Sequence, residues 1–199
     1  MANYSKMRLG KRHPRHDPRV PMLARYTAAL PSAPPAVEYQ TKVTSWPMMM
    51  NDRLGDCTCA AVGHVIQQWT TYNGHPVVLS DQQIEQLYET VGGYNPADPS
   101  TDGGAVEVDV LNYWLNTGVF GHPLGAYAAL ELQNHNEVMD AVYWFGNCYI
   151  GVALPISAQT QDVWAVPPGG PSGPGAVGSW GGHAVPVVAY DERGLVVIT

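Results

Sequence analysis

The chain has 199 residues, 45% of them hydrophobic, and a formal net charge of −7; this allows one sizeable core and leaves little room for a second full domain. Three cysteines without a hydrophobic signal sequence do not make a disulfide framework, so a reducing, cytoplasmic setting is expected. No apolar run approaches the roughly 20 residues that cross a bilayer, which leaves no membrane role.

The charge is unevenly spread. Lys6, Arg8, Lys11, Arg12, Arg15, Arg19 and Arg25 stand in the first 25 residues with Asp17 as their only acid, a formal +6, while the remainder carries 16 acids against 3 bases, a formal −13. Residues 1–36, broken by Pro14, Pro18, Pro21 and the Pro31–Pro35 cluster, therefore read as a basic N-terminal arm, and 37–199 as one domain. Such an arm is drawn to acidic surfaces: the chain's own body, or an acidic partner or assembly, with nucleic acid the less expected choice.

After the arm, Val37 to Val43 reads as a short strand, and Trp46-Pro47 with Met48 to Met50 leads into a turn at Asn51-Asp-Arg-Leu-Gly55. Between Cys57 and Tyr72 the apolar residues Ala60, Ala61, Val65, Trp69 and Tyr72 recur at three and four positions, the spacing of a helix with one buried face that ends near Asn73-Gly74. Ser80 and Gln83 form a capping-box pattern before Ile84, Leu87, Tyr88 and Val91, which starts a second helix. Val106, Val110, Leu111, Trp114 and Leu115 predict a third, closed at Asn116-Thr-Gly118 by a left-handed Gly. A fourth is expected over Glu137–Phe145. The runs Cys148–Leu154, Ala184–Tyr190 and Leu195 onward, dense in Val, Ile and Tyr, read as strands. Helices first and strands later make the class α+β with the two segregated.

Cys57 thus lies at a helix N-terminus, where the local dipole favours a thiolate and its own backbone N–H can point at an oxyanion. Asn51, six residues upstream, supplies a side-chain amide for the same hole. Asn51-Asp-Arg-Leu-Gly-Asp-Cys57 resembles the papain family's stretch from oxyanion-hole Gln to catalytic Cys, with Asn for Gln. Further along, Val37-Glu-Tyr39, Leu79-Ser-Asp-Gln-Gln83, Asp102-Gly-Gly104, Glu137 to Pro155 and Gly182-His183-Ala-Val-Pro-Val-Val-Ala-Tyr190 resemble, in family order, the opening strand, post-helix segment, Asn-Gly-Gly segment, helix-and-strand and His-bearing strand of papain-like cysteine peptidases, here as a stand-alone bacterial or phage member.

The resemblance implies a papain-like fold, with an N-terminal helical half carrying the Cys and a C-terminal antiparallel half carrying the His. It implies a peptidase or amidase working through an acyl-thioester, without cofactor or metal: Cys57 attacks, His183 is its base, and Asn51 binds the oxyanion. Gly55, Asp56, Gly103, Gly104 and Gly182 fall where the family binds its peptide or amide substrate. The residue that orients the His should fall about sixteen positions after it, which is Thr199, the last of the chain, and a domain shortened at its C-terminus is expected. Asp56 beside the nucleophile would raise the thiol pKa by like-charge repulsion. The arm is too short for the family's usual propeptide, so it is expected to cover the groove or to tether the protein elsewhere. The rival reading is a papain-fold protein with little or no activity, anchored by its arm as a binding or structural part of an assembly such as a phage particle, and so virion-associated.

Blander readings remain beside these. Cys59 and Cys148 read as core thiols, and Cys57 itself could be one. Cysteines at i and i+2 of one helix point apart, which spoils a tetrahedral metal set with His64 and His183. His13, His16, His64, His75, His122 and His135 read as surface or structural. Met48–Met50 are groove lining or gap-filling core, and Trp180 with Gly181 and Gly182 covers His183 or packs a turn.

Overall fold

A computed structural model describes residues 4–131 and 134–199; the first three residues of the expected arm lie outside it. In chain order the elements are helix α1 (Ala24–Thr27), strand β1 (Val37–Glu38), helices α2 (Cys57–Tyr72), α3 (Asp81–Gly92), α4 (Glu107–Thr117) and α5 (His135–Phe145), and strands β2 (Cys148–Leu154), β3 (Gly181–Asp191) and β4 (Gly194–Val197). The class is α+β.

Two cores lie side by side. One joins α2, α3 and α4 through Val62, Val65, Ile66, Ile84, Leu87, Tyr88, Val110 and Trp114. The other joins α5 to the sheet through Ala141, Val142, Cys148, Val187 and Tyr190, and takes in Leu23 from the arm. Helix α2 also packs along β3. Every residue from Cys57 to Gln68 is consequently buried, where the sequence spacing predicted a single buried face. Completely burying side chains such as Val62 and Ile66 is worth roughly 1.5–3 kcal/mol each, and the polar residues that come with them need partners. They find backbone carbonyls: His64 Nε2 lies 2.9 Å from Pro47 O, and the Gln67 and Gln68 amides donate to Ser45 O and Gly146 O.

Local signals fix most element ends. The Ser80 side chain accepts from Gln83 N while the Gln83 side chain accepts from Ser80 N, closing the capping box of α3. Asn134 caps α5 by accepting from Glu137 N, so this helix begins two residues before the expected Glu137. Gly118 follows α4 at φ 79° but ψ 165°, a positive φ without the expected left-handed helical ψ. Strand β1 is also shorter than the predicted Val37–Val43. Thr41 Oγ1 donates to Glu38 O and Val43 N to Gln40 O, which turns the chain out of the sheet.

In the sheet, β3 pairs antiparallel with β2 over Gly181–Val187, with β1 at Ala189 and Tyr190, and with β4 from Val187 to Asp191, with a register shift between Val187 and Ala189. Among the described residues no helix is long and apolar enough to cross a membrane.

Candidate active site

The turn before α2 is tightly wound: Met49 and Met50 both adopt positive φ, 52° and 70°, which is strained for side chains of this size. Met49 is core, fully buried with its sulfur packed where a Cβ on Gly63 would stand. This turn delivers Asn51, 3% exposed, beside the start of α2. The Asn51 side-chain amide donates to Arg8 O at 2.8 Å, with longer contacts to Leu54 O and the Asp56 carboxylate.

Cys57 opens α2 and is 1% exposed. The backbone amides of Ala184, next to His183 on β3, and of Gly10, in the arm, both act to lower the pKa of its thiol. Burial is the larger influence and pushes the thiol pKa up to about 11, with Asp56 adding in the same direction. His183 is 1% exposed, and burial lowers its pKa to about 4. Both groups are therefore neutral at pH 7 in this arrangement. His183 Nε2 lies 2.5 Å from Thr199 Oγ1, while Nδ1 is buried with no hydrogen-bond partner among the described residues. The indole of Trp164 stands edge-on to the imidazole at 6.2 Å between centroids; the ring beside His183 thus comes from Trp164, not from the Trp180 turn.

The arm runs through this site. Arg8 N donates to Asn51 O, Lys11 N to Gly182 O and Arg12 N to Ala105 O, and Ala105 N donates to Gly10 O. The segment pairs with Ala105 in parallel sense at Lys11. It touches the helical half on one side and β3 on the other, and Met7 is buried with its sulfur 3.8 Å from Thr199 Oγ1.

Four of the five residues expected to bind substrate meet the arm. A Cβ on Gly10 would stand 1.6 Å from Gly55 O, one on Gly104 1.8 Å from Gly10 O, and one on Gly182 2.4 Å from Lys11 O. Arg12 Nε donates to Gly103 O at 2.8 Å. Among the described residues Asp56 makes no hydrogen bond to the arm: it is fully buried, its Oδ2 has no hydrogen-bond partner there, and its Oδ1 accepts from the Asn51 amide. Burial raises its pKa to about 8, so near neutrality its carboxyl is mostly protonated; once ionised it adds to the rise of the Cys57 thiol pKa, as expected.

Side chains of the arm add charge contacts. Lys11 Nζ lies 3.5 Å from Glu107 Oε2, with both side chains largely covered, and Arg15 pairs with Asp109 in the open. Among the described residues no group of three or more His, Cys, Asp or Glu is placed to hold a metal ion.

Sequence reasoning missed the framework under the glycines. Asp102 accepts from Gly55 N at 2.9 Å and from Tyr88 Oη at 2.7 Å, and Tyr88 Oη accepts from Gly104 N at 2.7 Å. One carboxylate and one phenol thereby tie the loop before Cys57, α3 and the Gly103–Gly104 segment together. The only sign of this in the sequence is the acid immediately before the Gly pair.

No protein-family model matches the chain, and no curated protein matches it. Solved structures do. Xylellain, a cysteine protease from Xylella fastidiosa, is similar with a TM-score of 0.66 at 18% identity, over 94% of this chain and 81% of that one. Procathepsin B S9 from Trypanosoma congolense is similar with a TM-score of 0.61 at 14% identity, over 95% and 73%.

Proposed function

We propose that this chain, whose fold is that of the papain-like cysteine peptidases, is a cysteine-dependent hydrolase of peptide or amide bonds, held closed by its own arm. The observation that carries this reading is the His183 ring, with Thr199 at Nε2 and a free, buried Nδ1, on the strand whose Ala184 N–H acts on the Cys57 sulfur. An imidazole fixed at one nitrogen and unpartnered at the other is prepared to take a proton from a thiol.

With the arm docked, burial keeps the pair neutral. When the arm leaves, water returns, the burial penalty falls, and the helix dipole at Cys57 favours proton transfer from Sγ to His183 Nδ1. The thiolate attacks the substrate carbonyl carbon. The carbonyl oxygen takes the negative charge and is held by the Asn51 amide, which now donates to the Arg8 carbonyl, and by the Cys57 N–H. His183 gives its proton to the leaving amine, leaving a thioester on Cys57. Water, deprotonated by His183, attacks the thioester and releases the acid and the thiol.

The test uses the full chain. Gly10→Val puts a side chain where none fits beside Gly55 and should dislodge the arm locally. Cys57 in this variant should be alkylated at pH 6.5 at least tenfold faster than in the wild type, as read by site-resolved mass spectrometry, and His183→Ala in the same background should remove the gain. A Cys57 that labels no faster than Cys59 or Cys148 in the opened protein would sink the reading and favour a binding or structural role.

A further inference from the structure

The side chain of Lys11 does not lie on the surface. It enters a slot next to the nucleophile, where its Cε comes within 1.8 Å of where a Cβ on Gly151 would stand, and a Glu107 oxygen within 2.6 Å of that same point. Gly151, on β2 and itself exposed on its open side, leaves room beside Glu107 that a side chain at this position would fill. At its far end the Lys11 ammonium reaches Glu107, the first residue of α4, at 3.5 Å. Glu107 has no other ion-pair partner among the described residues, and a mostly covered carboxylate without a cation is costly.

The backbone around this slot is the groove itself. Lys11 N donates to Gly182 O, adjacent to His183, and the preceding Gly10 N–H acts on the Cys57 sulfur. The slot thus receives the side chain one residue away from the point where a bound chain crosses the nucleophile.

We infer that Glu107 and Gly151 form a specificity pocket for a lysine or arginine side chain of a peptide substrate, one that Lys11 fills only while the arm is docked. This rests on the hydrolase reading above. A flexible four-carbon stem with a terminal cation fits a path over Gly151 that ends in a carboxylate, a neutral side chain of equal length leaves Glu107 unpaired, and an acidic one meets like charge. Glu107 also raises the Cys57 thiol pKa through space, so a cation bound beside it would favour the thiolate that the chemistry needs. Glu107 recognises the side chain and takes no part in bond making.

Two measurements on full-length protein test this separately from the hydrolase reading. The first digests an internally quenched peptide library, randomised around the cleaved bond, with the Gly10→Val protein. Lys and Arg should be preferred at least tenfold over norleucine at one position within two residues of the cut, and Glu107→Gln should level that preference. The second uses calorimetry on the Gly10→Val, Cys57→Ala protein with paired blocked peptides that differ only by Lys or norleucine. The Lys peptide should bind at least tenfold tighter, and Glu107→Gln should erase the difference. Equal binding or equal cleavage of the paired peptides, or a Lys preference that survives Glu107→Gln, overturns the pocket. Lys-selective binding without any cleavage leaves the pocket standing and removes the hydrolase.

Discussion

Thr199 reaches His183 through a single hydroxyl, a neutral group that can steer the imidazole but offers no full charge to the imidazolium. Thr199→Ala in the opened Gly10→Val chain should lower kcat about tenfold with KM unchanged, short of the hundredfold or more that general acid–base catalysis itself contributes. Thr199→Ser should restore it, and an unchanged kcat in Thr199→Ala would deny the hydroxyl any orienting role. Three other buried groups set the pH response. Unfolded histidine takes up its proton near pH 6.5, whereas His64 and His183 resist it down to about 4, so stability falls as pH drops through that interval. Asp56 works in the opposite sense: its carboxyl ionises near 3.8 when unfolded and only at about 8 when folded, so stability falls as pH rises between those values. Urea titrations should give a maximum near pH 6.5, and Asp56→Asn should flatten the decline towards pH 8 while leaving the acid limb in place. A wild-type profile flat from pH 6.5 to 8 would contradict a protonated Asp56.

The Tyr88 hydroxyl is shared between elements, and its loss strands two groups at once. Tyr88→Phe removes the acceptor of Gly104 N–H and one donor to Asp102, which should cost about 1–3 kcal/mol. The urea midpoint would drop with an unchanged slope; no drop would mean that water replaces the phenol. Elements whose ends obey local chemistry were readable from sequence: Ser80 and Gln83 name the start of α3, and the apolar spacing of Cys57–Tyr72 gives α2 its true limits. The burial of α2 on every side was not readable, because His64, Gln67 and Gln68 look like a solvent face until their carbonyl partners are seen. Strand β1 was overextended because Val43 continues the apolar alternation while Thr41, through its own hydroxyl, ends the strand. The Gly55–Asp102–Tyr88–Gly104 linkage left little pattern beyond the acid before the Gly pair, since it joins residues from three separate segments.

At the scale of the whole molecule, the arm lies between the two halves and holds both. Cys57, His183, Asn51, Thr199 and the glycines were singled out through the resemblance to papain-like peptidases, and the structure sets Thr199 against His183 and the glycines under the arm. That the arm covers them was one of two expectations for it, but which of its residues meet them was not readable, because Gly10 and Lys11 meet Gly55, Gly104 and Gly182 through backbone atoms, and such contacts are blind to side-chain type. The seven bases of the arm suggested an acidic counterpart without saying where it lay. The arm also crosses Cys57 by way of an N–H. A thiolate attacks a carbonyl carbon, whereas the Gly10 amide acts on the Cys57 thiol pKa from its nitrogen end, so on the hydrolase reading the Leu9–Gly10 bond meets the sulfur from the end that does not react. On that reading the arm should resist cleavage where it crosses Cys57. On the same reading the arm belongs to the chain it covers, so dilution should not release it and each opening should leave it whole for the next closure. Intact-mass spectrometry after prolonged incubation should find the chain uncut between Leu9 and Gly10, whereas a product beginning at Gly10 would mark the arm as a one-time seal.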